Sequence, residues 1–401
     1  MRVLQINTVC KSGSTGKIAY DIHKCLLEKG HASAICYGRG PIIDEPNLYK
    51  FSSNFGVKIH GVITRLFGIH GLASNWSTHK LIRFIKNFRP EIVHIHNLHG
   101  YYVNIYKIMN YLKKNDIKTV WTLHDDFMFT GNCGYAYNCE KWQSSCGDCE
   151  NIKEYPKSLF FDFTSYQYRL KIKAFKGFNN LTIVTPSKWL ADRVHQSFLK
   201  DKNIHVIHNG IDLANVFYMR DYSELKEKHG LATEKIVLSV MPDFSDERKG
   251  GRYILELAKK TQGENIKIII VGVNKQLKDL PDNILTIERT ENQIELAKYY
   301  SMADVFVITS ICENFPTVCL EALACGTPIV GFNAGGTKET APAKASLFVE
   351  VGNIDQLYHS VIEILCQDGD VLSTTCRDYS INNHSTQMMY SHYINIYKKL
   401  Q

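Results

Sequence analysis

The chain has 401 residues, 44% hydrophobic and 22% charged, a balance of ordinary globular proteins that excludes a disordered or fibrous chain. That length exceeds what one core usually supports, so two domains of about 200 residues each are expected. The net charge of +7, from 47 basic and 40 acidic residues, suits anionic ligands but lacks a polybasic tract, and no nucleic-acid partner is expected.

The opening MRVLQINTVC is too short in apolar residues for a signal peptide, and no later run reaches the roughly 18 apolar residues of a spanning helix. A cytoplasmic location is expected, with the 12 cysteines reduced. In chain order, residues 3–7 read as a strand, Gly13-Ser14-Thr15-Gly16 as a loop, and the following stretch as a helix reaching about Glu28 and stopped by Gly30. Residues 34–37 follow as a second strand, completing one βα unit of a parallel sheet. Residues 92–96 and 119–123 are short β-branched runs ending in the histidine-bearing turns HNLHGYY and HDDF. Residues 181–185 form another strand, broken by Pro186, with Ser187 placed to cap the next helix. After a strand at 205–207, His208-Asn209-Gly210-Ile211-Asp212 marks a hinge. A second series then begins, with strands at 236–240, 266–271, 284–287, 305–308 and 328–332. Alternating strands and helices give an α/β class with ligands at the strands' carboxyl ends.

Residues 310–330, SICENFPTVCLEALACGTPIV, hold the strongest signal. A strand ends near Thr309, Glu313 lies in the loop, Pro316 sits in the first helical turn, and Gly326 closes the helix. A helix start behind such a loop favours phosphate, because unpaired N–H groups and the helix dipole both point at it. Glu313 and Glu321 are eight residues apart, about 12 Å along a helix axis, which places one carboxylate at each end of a bound nucleotide sugar.

This segment resembles the E-x7-E region of the retaining glycosyltransferases of family 4, which have the GT-B fold of two Rossmann-like domains facing across a cleft. The similarity runs from GSTG through TLHD, TPSKWL and HNGID to EALACGTPIV, and is greatest to bacterial members that build capsule, exopolysaccharide or O-antigen chains. The resemblance implies an acceptor-binding domain over 1–212, a donor-binding domain over 213–382, and a last helix over 383–401 returning to the first domain. It implies retaining transfer of a sugar from a UDP- or GDP-sugar, with no cofactor required for catalysis and a saccharide or lipid-linked acceptor. Glu321 would hold the donor ribose and Glu313 the transferred sugar. Asn314, Phe315, Pro316 and Thr317 would meet the phosphates, and His124 would lie near the donor sugar. Lys249 matches the lysine that neutralises the diphosphate. The arginine usual six residues before it is Asp243 here, so Arg248 is the candidate second cation. Gly13 and Gly16 would admit close backbone approach to donor or acceptor, and Gly335, Gly336 and Glu339 resemble the family's glycine loop in the second domain. His96 and His99 are read as lining the acceptor side.

Cys133, Cys139, Cys146 and Cys149 fall within 17 residues, with the two-residue gap of a zinc knuckle at Cys146 and Cys149. A structural zinc and four free buried thiols are the two readings. Between Lys58 and Arg89, six basic residues alternate with aromatics and aliphatics, which suits either peripheral contact with an anionic membrane or ordinary helices with a wet basic face. A nucleotide-sugar epimerase of the same fold and a non-catalytic nucleotide or nucleic-acid binding module are the rival functions.

Overall fold

The computed structural model describes residues 1–273, 277 and 280–401. Its chain contacts divide it into two units, Met1–His208 with Tyr390–Gln401, and Asn209–Met389.

The first unit is built on seven strands, β1 (Arg2–Asn7), β2 (Ala32–Tyr37), β3 (Leu48–Lys50), β4 (Ile92–Ile95), β5 (Lys118–Thr122), β6 (Leu181–Thr185) and β7 (Asn203–Val206). They lie in the order β3-β2-β1-β4-β5-β6-β7, and every pair is parallel. The inner strands β4 and β6 are buried along their whole length, as in a parallel sheet covered on both faces. The second unit repeats the plan with β8 (Lys235–Val240), β9 (Ile266–Val271), β10 (Ile284–Ile287), β11 (Val305–Ile308), β12 (Ile329–Phe332) and β13 (Ser346–Val349), ordered β10-β9-β8-β11-β12-β13 and again all parallel. Each sheet reverses its direction of growth once, between β1 and β4 and between β8 and β11. Such a switch point opens a crevice at the strands' carboxyl ends, because the flanking loops turn to opposite faces.

Local signals act as expected at several places. Ser187 caps the helix Lys188–Gln196 by accepting from the Leu190 N–H at 3.1 Å, and Gly30 ends the first helix at φ +75°. Three details differ from the sequence reading. The GSTG segment is not a loop: Gly13 opens the helix Gly13–Glu28, and Gly16 lies inside it against Val9. The hinge falls just after His208, because Ile211 hydrogen-bonds His384 and Thr386 and so belongs with the second unit. The last helix is Thr386–Leu400 rather than 383–401, and it joins the first unit from Tyr390. Among the described residues no helix is long and apolar enough to cross a membrane.

That last helix is tied to the first sheet by polar contacts within the core. The Tyr397 hydroxyl lies 2.7 Å from His94 Nδ1, and the Tyr393 hydroxyl 2.9 Å from Thr122 Oγ1, which in turn meets His94 Nε2 at 2.8 Å. All four residues are fully enclosed. Tyr397→Phe leaves a buried ring nitrogen without its partner and is expected to destabilise the protein by about 1 to 3 kcal/mol, read from the urea midpoint. A shift worth less than about 0.5 kcal/mol would show that the contact is not a constraint on this helix.

Candidate functional site

In the second unit the loops leaving β8 and β11 flank the switch point, and between them they carry the charged residues singled out from sequence. Arg248 and Lys249 sit in a single turn, Glu247–Lys249, begun by Asp246, whose carboxylate accepts from the Arg248 N–H. Gly250 ends this turn at φ +70°, and a Cβ there would lie 2.0 Å from the Thr309 carbonyl oxygen, so only glycine lets the two loops come this close. Lys249 Nζ donates to Glu313 Oε1 at 2.5 Å, and Arg248 NH1 donates to the same oxygen at 3.3 Å and to the Cys312 carbonyl at 3.2 Å. Burial raises the Glu313 carboxyl, but the two cations outweigh it and hold the group below the ordinary carboxylate range. Arg248 is thus drawn into the charged cluster, while the Asp243 carboxylate accepts from the Ser245 N–H and hydroxyl.

Glu313 is fixed from a third side. A Cβ on Gly335 would lie 2.0 Å from the Glu313 carbonyl oxygen, and the Gly336 N–H donates to that oxygen at 3.0 Å. The glycine pair therefore positions the glutamate loop. Asn314 and Phe315 are buried behind it, and the Phe315 carbonyl accepts from Asn209 at 3.2 Å. Pro316 precedes the helix Thr317–Ala324 as its cap residue with extended ψ of 121°, instead of lying in the first turn. The N–H groups of Thr317 and Val318 then head the helix at its positive end. Because Glu313 stands in the loop and not on the helix, the 12 Å axial spacing inferred for Glu313 and Glu321 does not describe their separation. Glu321 is buried on the helix, and its Oε2 accepts from the hydroxyl of Tyr300 at 3.1 Å. Tyr300, on the helix Gln293–Met302, carries no motif that sequence reading could have found.

In the first unit His124 and its neighbours gather at the carboxyl ends of β1, β4 and β5. His124 Nε2 lies 3.2 Å from His96 Nδ1, and His96 Nε2 lies 3.1 Å from Gln5 Oε1. Burial pushes His124 down to about 4, so its ring is neutral at pH 7. His96 is enclosed and lines nothing open. His99 contacts Asp125 at 2.6 Å and the Tyr155 hydroxyl at 3.1 Å. Burial raises Asp125, but His99 outweighs it and keeps the carboxyl low. Gly13 and Gly16 lie at the first helix start of this unit; Gly16 serves packing, since a Cβ would stand 3.1 Å from Val9 Cγ2.

The four clustered cysteines do gather, lining one cavity of about 20 Å³ with Trp142 and Thr164. Cys133 and Cys149 are hydrogen-bonded to each other, and Cys146 Sγ accepts from the Gly131 N–H at 3.2 Å. Zinc ligation requires sulfurs converging to about 2.3 Å from one point. Among the described residues no three His, Cys, Asp or Glu side chains are arranged to hold a metal ion, and none of the four cysteines is in a disulfide.

Beside that cavity lies a residue absent from the sequence reading, Lys171 of the helix Thr164–Phe175. It is fully buried, donates to the carbonyls of Phe127, Thr130 and Gly131, and lies 3.7 Å from the Phe127 ring centre. It closes the turn that follows His124-Asp125-Asp126, as does the two-pronged bond of Arg193 to Asp126 at 3.1 Å. Burial lowers Lys171 from 10.5 to about 7. The unfolded chain therefore binds the extra proton between about pH 7 and 10.5, and the stability this group confers rises with pH across that window. Urea unfolding of wild type and Lys171→Met should diverge in favour of wild type from pH 7 to 10; a pH-independent difference would exclude a depressed lysine.

The description Glycosyltransferase Family 4 matches residues 15–215, about half of the chain, and Glycosyl transferases group 1 matches residues 221–382. A putative colanic acid biosynthesis glycosyl transferase, WcaC of Escherichia coli K12, is 25% identical over 418 residues, covering 100% of both chains. An Escherichia coli UDP-Gal:alpha-D-GlcNAc-diphosphoundecaprenol alpha-1,3-galactosyltransferase is 24% identical over 47% of this chain and 52% of its own. The crystal structure of Anabaena HepE in complex with UDP superposes with a TM-score of 0.69 at 14% identity, covering 100% of both chains, a likeness of fold.

Proposed function

This chain belongs to glycosyltransferase family 4, with the two parallel-sheet domains of the GT-B fold, and from that premise we propose that it moves a sugar from a nucleoside diphosphate donor to a lipid-linked saccharide in polysaccharide synthesis, with retention of anomeric configuration. The observation that carries the reading is the cluster of Arg248, Lys249 and Glu313 before the helix Thr317–Ala324. Breaking the bond from sugar to diphosphate builds negative charge on the leaving oxygen. Preorganised cations and helix N–H groups stabilise that charge at no cost of reorganisation. Lys249 and Arg248 are the cations in this reading, Phe315 to Thr317 present the backbone, and Glu321, steadied by Tyr300, accepts from the ribose hydroxyls. Glu313 takes the hydroxyls of the transferred sugar. Front-face attack lets the departing phosphate oxygen receive the acceptor's proton, so no general base is needed and His124 orients or polarises. The UDP complex of HepE and the UDP-sugar and lipid-linked substrates in the galactosyltransferase's name support UDP over GDP and a lipid-linked acceptor.

A surface of the first unit supports a membrane-borne acceptor. The helix Asn54–Phe67 turns Phe55, Ile59, Val62 and Leu66 outward at helical spacing, and buries His60 and Thr64 instead. Phe67 stacks on Phe161 at 6.2 Å, beside exposed Leu159 and Phe160. Exposed Lys58 and Arg65 share the helix, and Lys80, Arg83 and Lys86 stand on the next. An apolar ridge among cations complements an anionic bilayer, where rings enter the headgroup layer and lysines meet phosphates.

Three measurements test these readings. Calorimetric titration with UDP should show Tyr300→Phe weakening binding about threefold to tenfold and Glu321→Ala weakening it further. Lys249→Ala should lower the transfer rate by about 10²- to 10³-fold. Wild-type donor binding in Glu321→Ala, or consumption of UDP-sugar that needs no acceptor, would overturn the transferase assignment. Sedimentation with phosphatidylglycerol vesicles should carry the protein down, less so at high salt or in Phe55→Ser with Phe160→Ser; indifference to both would remove the membrane surface.

A further inference from the structure

The excursion between β5 and the helix Thr164–Phe175 carries four cysteines that the proposed transfer does not use, all on the wall of one cavity of about 20 Å³. They are not equivalent. Cys146 is engaged, since its Sγ accepts from the Gly131 N–H at 3.2 Å, and burial pushes its thiol up to about 11. Cys133 and Cys149 are in contact with each other, the Cys133 S–H donating to the Cys149 sulfur. That bond, joined by the Asn151 backbone N–H and by Lys141 on the cavity wall, outweighs burial and the nearby Asp162 carboxylate and holds the Cys149 thiol below its ordinary range. Burial instead raises the thiols of Cys10, Cys25 and Cys36 in the same unit. Access differs too, for Cys133 is buried and Cys149 half-buried. The backbone around each sulfur is fixed. The Cys149 N–H donates to Asp162 Oδ2 at 2.7 Å, the Cys133 carbonyl accepts from Thr130 Oγ1 at 2.8 Å, and Gly134 joins Asp126 and Tyr155 through its own carbonyl and N–H.

We infer that Cys149 and Cys133 form a peroxide-reactive dithiol, with Cys149 as the attacking thiol and Cys133 as the resolving one. The Cys149 sulfur attacks one oxygen of hydrogen peroxide, the O–O bond breaks, and the departing hydroxide takes up a proton to become water, leaving a sulfenic acid. The Cys133 sulfur then attacks the Cys149 sulfur. Its proton and the sulfenic hydroxyl leave as a second water, and an S–S bond remains. Two thiols and one peroxide thus give one disulfide and two waters, two electrons passing from the sulfurs to the peroxide oxygens. The sulfurs need only close from hydrogen-bond contact to about 2.05 Å. An external dithiol reverses the step by exchange, becoming a disulfide itself. The bond closes a 17-residue loop and ties the turn that follows His124-Asp125-Asp126 to the outer arm of the excursion. None of this rests on the glycosyl transfer proposed above.

The full chain, reduced and then freed of reductant, is treated with hydrogen peroxide at neutral pH, its remaining thiols are alkylated, and its peptides are read by mass spectrometry. Peroxide should remove two alkylatable thiols and yield a Cys133–Cys149 crosslink, lighter by two hydrogens than the reduced pair, and dithiothreitol should restore both thiols. Dimedone present during the oxidation of wild type should label Cys149 and not Cys133; label on Cys133 would overturn the assigned roles. Cys133→Ser, lacking the resolving thiol, should accumulate the Cys149 adduct, and Cys139→Ser should keep the crosslink. A crosslink made instead through Cys139 or Cys146, or four thiols that alkylate as fully after peroxide as before it, would overturn the pair, and wild type alone reads both results. Zinc is measured in protein purified without chelator. About one bound equivalent, with all four thiols indifferent to peroxide, would overturn the dithiol in favour of a metal site.

Discussion

The second unit depends on one topological constraint: β8 and β11 are parallel neighbours at the point where the sheet reverses its direction of growth. Parallel strands deliver both following loops to the same edge, and the reversal sends their helices to opposite faces, which leaves the edge between them open. Lys249 and Glu313 are 64 residues apart in sequence, yet that arrangement sets their side chains in a direct ion pair. The buried carboxylate could not remain charged alone, since desolvation would neutralise it. Two cations hold it ionised, and it holds them in turn, so the cluster is a preformed set of charges and not a collection of loose surface side chains.

The first unit solves a related problem with neutral groups. Its switch point, between β1 and β4, is filled by Gln5, His94 and His96, all enclosed. Enclosed polar groups are costly unless each finds a partner, and here Gln5 bonds to His96, and His94 bonds to Thr122 and to Tyr397 of the last helix. The second unit presents a preformed charge cluster and the first a network of neutral hydrogen bonds.

Much of this was legible in the sequence, and what was not has identifiable causes. The strands of both sheets were found from their apolar runs, except β3, LYK, and β13, SLFV, which hold no and one β-branched residue. The segment around Glu313 and Glu321 was legible because Pro316, Gly326 and the two acids mark a loop, a helix start and a helix end. Lys249 was found by resemblance, but the role of Arg248 needed the geometry, since an arginine in a loop has no sequence mark of its partner. Tyr300, Gln5 and Lys171 were missed for the same reason: each acts on a residue far along the chain, and none sits in a motif. The GSTG segment was misread because glycine signals a loop even where it opens a helix.

The claim on which this account stands is that a nucleoside diphosphate binds at the β8–β11 switch point. A crystal structure of the protein grown with UDP tests it most directly. The account requires the β-phosphate within hydrogen-bond distance, about 3 Å, of Lys249 Nζ and of the backbone N–H groups heading the helix Thr317–Ala324, with the ribose hydroxyls on Glu321. Density for the nucleotide at any other place, with the Lys249–Glu313 pair unchanged, would contradict it.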